Sequence, residues 1–441
     1  MKARRKTKIM KVNVIGAGLA GTEAAYQLAK RGIDVVLHEM KPEKFSPAHS
    51  NPNMAEIVCS NSLKSIEPST ASGTLKAELE ILGSIDLKIA KQVSVPAGSA
   101  LAVDREKFSE MVTSKIKSMP NINVVSGEVK EIDLTVPTII ATGPLTSESL
   151  SCCIKNLLGD ENLFFYDASA PIIDADSIDY SKTFNADRYG KGESDYINCP
   201  MNKEEYYNFV QELVNAKRVE LKSFEKTEIF QGCMPIEVMA SSGIDSLRFG
   251  PLRPVGFVDE NGKRPFAVVQ LRKENTESEL YNIVGFQTNL TFGEQNRIFK
   301  MIPALANAEF VKYGVMHRNT YLNSPKHLNS DFSLKTNPQI YFAGQLAGVE
   351  GYVESIASGL VAGISLANKL LGKNAFKFTN KTIIGALCNY ISTENVNFQP
   401  MNANFGILEP LENAPRDKSL RKLAYFDRAV KETKQLKEII D

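Results

Sequence analysis

The chain has 441 residues, 43% hydrophobic and 23% charged, the proportions of a soluble globular protein with enough apolar side chains for a large core. Its 52 Lys and Arg balance 51 Asp and Glu, which excludes a global field that would draw in a polyanion, so any nucleic-acid contact must use a local basic patch. The length predicts two or three domains, because single cores stop growing near ~250–300 residues, and no apolar run is long enough for a membrane-crossing helix.

Residues 1–10 are basic and run straight into a glycine motif without a cleavage site, which reads as a solvated arm and not as a secretory signal. Lys11 to Ile15 (KVNVI) is a β-branched run of the kind that forms a buried parallel strand. It passes into Gly16-Ala17-Gly18-Leu19-Ala20-Gly21 and then a helix, Thr22 to Arg31, with Ala25, Leu28 and Ala29 on one face and Gly32 as its stop. A second strand, Ile33 to Glu39, follows. The three glycines serve different ends. Gly16 permits the tight turn, Gly18 lets backbone approach a pyrophosphate, and Gly21 allows helix to pack on strand. The pyrophosphate then sits at the helix N-terminus. Glu39 ends the second strand, where a carboxylate accepts hydrogen bonds from a ribose. This order predicts dinucleotide binding, with FAD and NAD both open at this point.

Ala55 to Cys59 (AEIVC) reads as a short apolar strand breaking into the polar turn Ser60-Asn61-Ser62. A thiol there is expected to emerge at a helix start, where the dipole favours thiolate. Pro137 to Gly143 (PTIIATG) is a strand ending in Ala-Thr-Gly, similar to the segment that returns to the nucleotide in two-dinucleotide flavoproteins. Between about Tyr166 and Ala308 the pattern changes to short strands, with candidates Ser194 to Cys199, Thr227 to Phe230, Pro265 to Leu271 and Tyr281 to Gln287, and a turn at Glu260-Asn261-Gly262-Lys263. Lys203 to Val214 is an amphipathic helix capped by Asn202. Gln339 to Gly363 then gives a strand, a glycine-rich turn with Gly344, Gly351 and Tyr352, and a small-residue helix, the unit that carries the flavin in such flavoproteins. Thr382 to Ile391 and the strongly charged Lys418 to Ile440 read as helices, the latter laid on the surface.

The nucleotide-binding pieces lie far apart in the chain, so the expected architecture is α/β: a discontinuous Rossmann-like FAD domain, glutathione-reductase-like, interrupted by an α+β domain. The boundaries fall at 1–165, 166–308 and 309–441. The six cysteines show no CxxC pair and no metal-finger spacing, which suits a reducing cytoplasm without disulfides or a metal site. Cys59 and Cys233, the latter held between Gly232 and Pro235, are the candidate nucleophiles. Cys152, Cys153, Cys199 and Cys388 read as small buried hydrophobes.

Ten strings carry a resemblance that runs from near Lys11 to beyond Gly406, among them GAGLAGTEAAYQLAKRGIDVVLHEMKP, AEIVCSNSLKS, GCMPIEVMA, FGPLRPVG, YGVMHRNTYLNSP, FAGQLAGVEGYVESIASGLVAG and FQPMNANFG. They resemble the folate- and FAD-dependent tRNA uracil-5-methyltransferases. The resemblance implies a cytoplasmic enzyme that moves the one-carbon unit of 5,10-methylenetetrahydrofolate, by way of reduced FAD, to uridine C5 in RNA, with NADPH or NADH as reductant. The family's two functional cysteines match Cys59 and Cys233. Uracil C5 is a poor nucleophile, so a thiolate must first add at C6; Cys233 is the expected C6 nucleophile and Cys59 is expected beside the flavin.

His317 is a candidate to stack on the folate pterin, with Arg318 for its glutamate tail or for RNA, and Tyr352 is expected near the isoalloxazine. Arg248, Arg253, Lys263, Arg264, Arg272 and Lys273 form the basic cluster expected to meet RNA phosphates. The most direct target is the T-loop uridine of tRNA. A uridine of 23S rRNA would be reached by the same chemistry, and a flavin NAD(P)H oxidase or disulfide reductase is the reading from another class, although no redox-pair cysteine spacing occurs near the flavin motifs. Neither a membrane nor a protein partner is implied.

Overall fold

A computed structural model describes residues 11–160, 163–186, 195–219, 234–258, 262, 264–374, 376–395 and 398–440. Along the chain come β1 (Lys11–Ile15), α1 (Leu19–Lys30), β2 (Asp34–Glu39), α2 (Ala71–Leu82), α3 (Ile85–Gln92), α4 (Arg105–Lys117), β3 (Ile122–Ser126) and β4 (Thr138–Ile140). The strands β5 (Ile172–Asp174), β6 (Phe184–Asn185), β7 (Ile197–Met201), β8 (Ala267–Lys273), β9 (Leu280–Ile283) and β10 (Phe310–Lys312) follow, with α5 (Lys203–Asn215), α6 (Ile236–Ser241) and α7 (Ser246–Phe249) among them. The chain ends on β11 (Ile340–Phe342), α8 (Tyr352–Leu370), α9 (Ile383–Tyr390) and α10 (Lys418–Ile440).

β1, the β-branched run, is the middle of a five-stranded sheet in the order β11-β4-β1-β2-β3, and every pairing in it is parallel. Val12 and Val14 are fully buried, as a strand covered on both faces requires. α1 begins at Leu19, three residues before the sequence suggests, because Gly18 is its cap and Gly21 lies inside its first turn. The small residues of α8 let it pack on α1: a Cβ at Gly359 would lie 2.1 Å from the Ala20 carbonyl oxygen. β1, β2, β4 and β11 therefore all release their loops at one edge of the sheet, their carboxyl ends, where α/β folds bind ligands.

A second sheet has six antiparallel strands in the order β6-β7-β8-β9-β5-β10. Alternation separates its faces. Ile197, Cys199, Val269, Leu271 and Ile283 join one core with Tyr206 and Phe209 of α5, while Asn198, Gln270, Arg272 and Asn282 point the other way. Asn202 starts α5 with a full capping box to Glu205, as expected. The chain enters this unit along Leu163–Ala168 and leaves along Met316–Tyr321, and the two crossings pair antiparallel. Buried apolar side chains accordingly form two main cores, one from residues 12–154 and 321–440, the other from 170–308. Among the described residues no helix is long and apolar enough to cross a membrane. The candidate strand at Thr227 to Phe230 lies outside the described residues.

α9 is held by a buried carboxylate. Glu78 of α2 accepts the backbone N–H groups of Ile383 and Ile384, at 2.7 and 2.8 Å, so two orphan donors of the helix start are satisfied from another element. Burial raises its pKa to about 7, against the opposing pull of those two bonds. The folded protein thus keeps a proton that the unfolded chain has already released, and the contribution of Glu78 to stability falls as pH rises from its ordinary value through about 7. Glu78→Gln removes this dependence. Melting temperatures of the two proteins across that window should diverge by a few degrees, against wild type as pH rises; a constant difference would contradict the assignment.

Candidate active site

The loops at the carboxyl edge of the parallel sheet line a cleft of about 1160 Å³. Gly16, Gly18, Glu39, Gly143, Gly344 and Tyr352 all face it. Gly16 has φ +96, and a Cβ there would lie 2.6 Å from the Ala141 carbonyl oxygen, so only glycine makes this turn. Gly21 does not reach the cleft; a Cβ on it would lie 1.8 Å from the Gly16 carbonyl oxygen, so it serves the close contact between helix and strand. Gly18 differs from both, because a Cβ would have nothing within 4 Å and would fill the cleft. α1 opens here with no side-chain cap, leaving its first N–H groups to an anion. Glu39 accepts the Ala17 N–H at 2.8 Å and the Lys41 N–H at 3.0 Å, which orients its carboxylate at the end of β2. A phosphate cradle, a ribose acceptor and an apolar continuation to Tyr352 fit FAD.

Two further cavities continue the cleft. The next, about 1210 Å³, shares Val58, Pro144, Leu145, Gln345, Tyr352 and Ser355 with it. Gly351 and Glu354 line this middle space. The third, about 810 Å³, shares Cys59, Ser60 and Gln287 with the middle one and is otherwise walled by the antiparallel sheet and by Met234, Met239 and Pro251. Cys59 therefore stands where the flavin-sized cleft gives way to the second unit.

Residues 55–59 do not form the expected strand, and no helix starts at the thiol, since α2 begins only at Ala71. Ala55 has φ +52, which breaks an extended run, and distant side chains satisfy the backbone that a strand would have paired. The Cys59 N–H donates to Tyr352 Oη at 2.8 Å. Arg105 donates to the carbonyls of Ile57 and Cys59, at 3.0 and 2.9 Å. Arg272 donates to Asn61 Oδ1 and Ser60 Oγ, at 2.8 and 2.7 Å. Cys59 therefore has no helix dipole to favour its thiolate, contrary to expectation; what the fold provides is a rigid loop that presents the thiol to two cavities.

Cys233 lies outside the described residues, as does Lys263, but the next residue, Met234, lines the third cavity with Cys59. His317 and Arg318 lie on the crossing strand Met316–Tyr321, and their side chains are also outside the described set. Arg253 and Arg264 are exposed, as a phosphate-binding surface needs. Arg272 is not on that surface: it is 6% exposed and committed to Ser60 and Asn61. Cys199 and Cys388 are buried, and burial pushes the Cys199 thiol up to about 12 and that of Cys388 higher still, which makes both inert. Cys152, expected inside, is exposed on the helix Glu148–Leu158.

Arg105 escapes sequence reasoning, because its only signal is its place before the amphipathic run of α4. Its guanidinium forms a bidentate pair with Glu274, at 2.6 and 3.2 Å, with Glu274 only 2% exposed, and so ties the Cys59 loop to the end of β8. Arg105→Ala leaves a buried carboxylate unpaired and should cost about 3–5 kcal/mol in chemical denaturation. Adding Glu274→Ala should recover part of that loss; a double variant no more stable than the single one would contradict the pairing.

Residues 11–374 match the family glucose inhibited division protein A. A methylenetetrahydrofolate–tRNA-(uracil-5-)-methyltransferase TrmFO from Acetivibrio thermocellus is 56% identical over 431 residues, 97% of this chain and 98% of the relative. The protein of the same name from Bacillus subtilis is 53% identical over 431 residues, 97% and 99% of the two chains. Among solved structures, Aquifex aeolicus GidA superimposes with a TM-score of 0.72 at 18% identity, covering 98% of this chain and 73% of that one, a likeness of fold.

Proposed function

Because this chain belongs to the glucose inhibited division protein A family, alongside its methylenetetrahydrofolate-dependent tRNA (uracil-5-)-methyltransferases, we propose that it forms 5-methyluridine in tRNA with a carbon from 5,10-methylenetetrahydrofolate. The observation that carries this reading is the run of three wall-sharing cavities from the glycine cradle to Cys59 and Met234. In it, residues 1–165 and 309–441 make the FAD domain and residues 166–308 the unit that receives RNA. Gly16, Gly18, Glu39, Gly143, Gly344 and Tyr352 hold FAD, which when bound supplies the two-electron chemistry that turns a methylene into a methyl.

The protein's own groups do the rest. Cys233 adds to uracil C6, which makes C5 nucleophilic; C5 bonds the one-carbon unit and gives up its proton to a base, and the thiolate leaves C6, restoring the C5–C6 double bond, when two electrons complete the methyl. Cys59 stands between the flavin cleft and the uracil. His317 and Arg318 serve the folate. Arg253, Arg264 and Lys263 meet RNA phosphates, and NADPH or NADH is the reductant. The enzyme acts in the cytoplasm on the T-loop uridine.

The test is direct. Purified protein with FAD, NADPH, tRNA lacking the modification and isotopically labelled methylenetetrahydrofolate should yield labelled 5-methyluridine by nucleoside mass spectrometry, mapped to the T-loop fragment. Consumption of NADPH with no label in RNA would leave only a flavin oxidase and end the proposal.

A further inference from the structure

The third cavity contains a donor that the fold leaves unused. Asn282 is 2% exposed and lines this cavity, and its Nδ2 has no hydrogen-bond partner. Leaving such a buried amide unpaired destabilises the fold, and a ligand acceptor would remove that cost. Asn282 pairs across the sheet with Arg272, so the two side chains leave the same face, toward the Cys59 loop. Ala170, Met239, Pro251 and Val284 complete the wall. With Ser60, Arg272 and Gln287 the wall is as polar as it is apolar, which suits a flat heterocycle bearing carbonyl oxygens.

Resting on the proposal that the substrate is a uridine in RNA, we infer that this cavity holds the target uracil ring, turned out of the RNA stack, and that Asn282 Nδ2 donates to its O4. Base chemistry explains the choice of atom. Uracil presents an acceptor at position 4 where cytosine presents an amino donor, so a fixed buried donor accepts one and repels the other. Cys59 lines the same cavity and brings a thiol to this ring. The ring must leave its stack to enter, and the neighbouring surface suits what remains: two residues before Pro251, Phe249 is 84% exposed, and Arg253 is exposed just beyond. An aromatic face replaces lost stacking and a guanidinium meets phosphate.

The experiment compares wild type, Asn282→Ala and Asn282→Asp on two T-arm hairpins, one with uridine and one with cytidine at the target position. Bound flavin and NADPH-driven flavin reduction are recorded beside kcat/KM. Asn282→Ala should lower kcat/KM for uridine by about 10- to 100-fold with flavin content and reduction unchanged. Asn282→Asp, whose carboxylate accepts a hydrogen bond where the amide donated one, should raise the cytidine-to-uridine ratio at least about 10-fold. A wild-type rate in Asn282→Ala, a loss matched by equal loss of flavin reduction, or an unchanged ratio in Asn282→Asp would overturn the uracil pocket alone. A wild type that methylates neither hairpin would overturn the RNA reading with it.

Discussion

Gly18→Val should purify as a folded but colourless protein, with affinity for FAD lowered by roughly 100-fold or more. The backbone at Gly18 has φ −74 and ψ −173, which valine adopts without strain, and the added carbons meet no protein atom within 4 Å of the first of them. Folding has no reason to suffer. The new side chain would instead occupy the space in front of the α1 N-terminus, where a pyrophosphate must come close to backbone N–H groups. The control is Gly21→Ala, whose Cβ would lie 1.8 Å from the Gly16 carbonyl oxygen and should disturb the fold itself. Visible flavin absorbance after reconstitution, together with the melting temperature of the apoprotein, separates the two cases. A Gly18→Val protein that retains a full complement of flavin would refute the phosphate cradle.

The cradle is legible in the sequence because its physics is local. Glycines at fixed spacing, a β-branched strand before them and an acid at the end of the next strand all act within the first 39 residues. The same holds for α10, where a long amphipathic and charged run gives Lys418–Ile440 as read. The Cys59 loop departs from its sequence pattern for the opposite reason. AEIVC has the composition of a strand, yet its carbonyls and N–H groups bond to Arg105 and Tyr352, which are remote in sequence. Arg272 misleads in another way: a basic residue alternating with apolar ones in a strand suggests a solvated face, but here it is covered by the Cys59 loop. Burial of charge follows from the meeting of two units, and no single-sequence period encodes it.

Cys233→Ala should keep its flavin and lose RNA methylation by roughly a thousandfold or more, because none of the thiols among the described residues is suited to C6 addition. Cys199 and Cys388 are buried with raised pKa values, and Cys152 is exposed on a helix whose residues line none of the three cavities but Leu150 in the first. Cys59 opens on the third cavity, yet its loop is pinned by Arg105, Arg272 and Tyr352, and it also faces the space nearest the flavin cleft. That leaves Cys233, next to Met234 in the sequence, as the expected C6 nucleophile. A hairpin carrying 5-fluorouridine discriminates the two, since the C5 proton that must leave is replaced by fluorine and the S–C6 bond persists on a denaturing gel. Cys59→Ala should still form this covalent protein–RNA species and Cys233→Ala should not. The reverse pattern would assign the nucleophile to Cys59 and move Cys233 to a supporting place beside the ring.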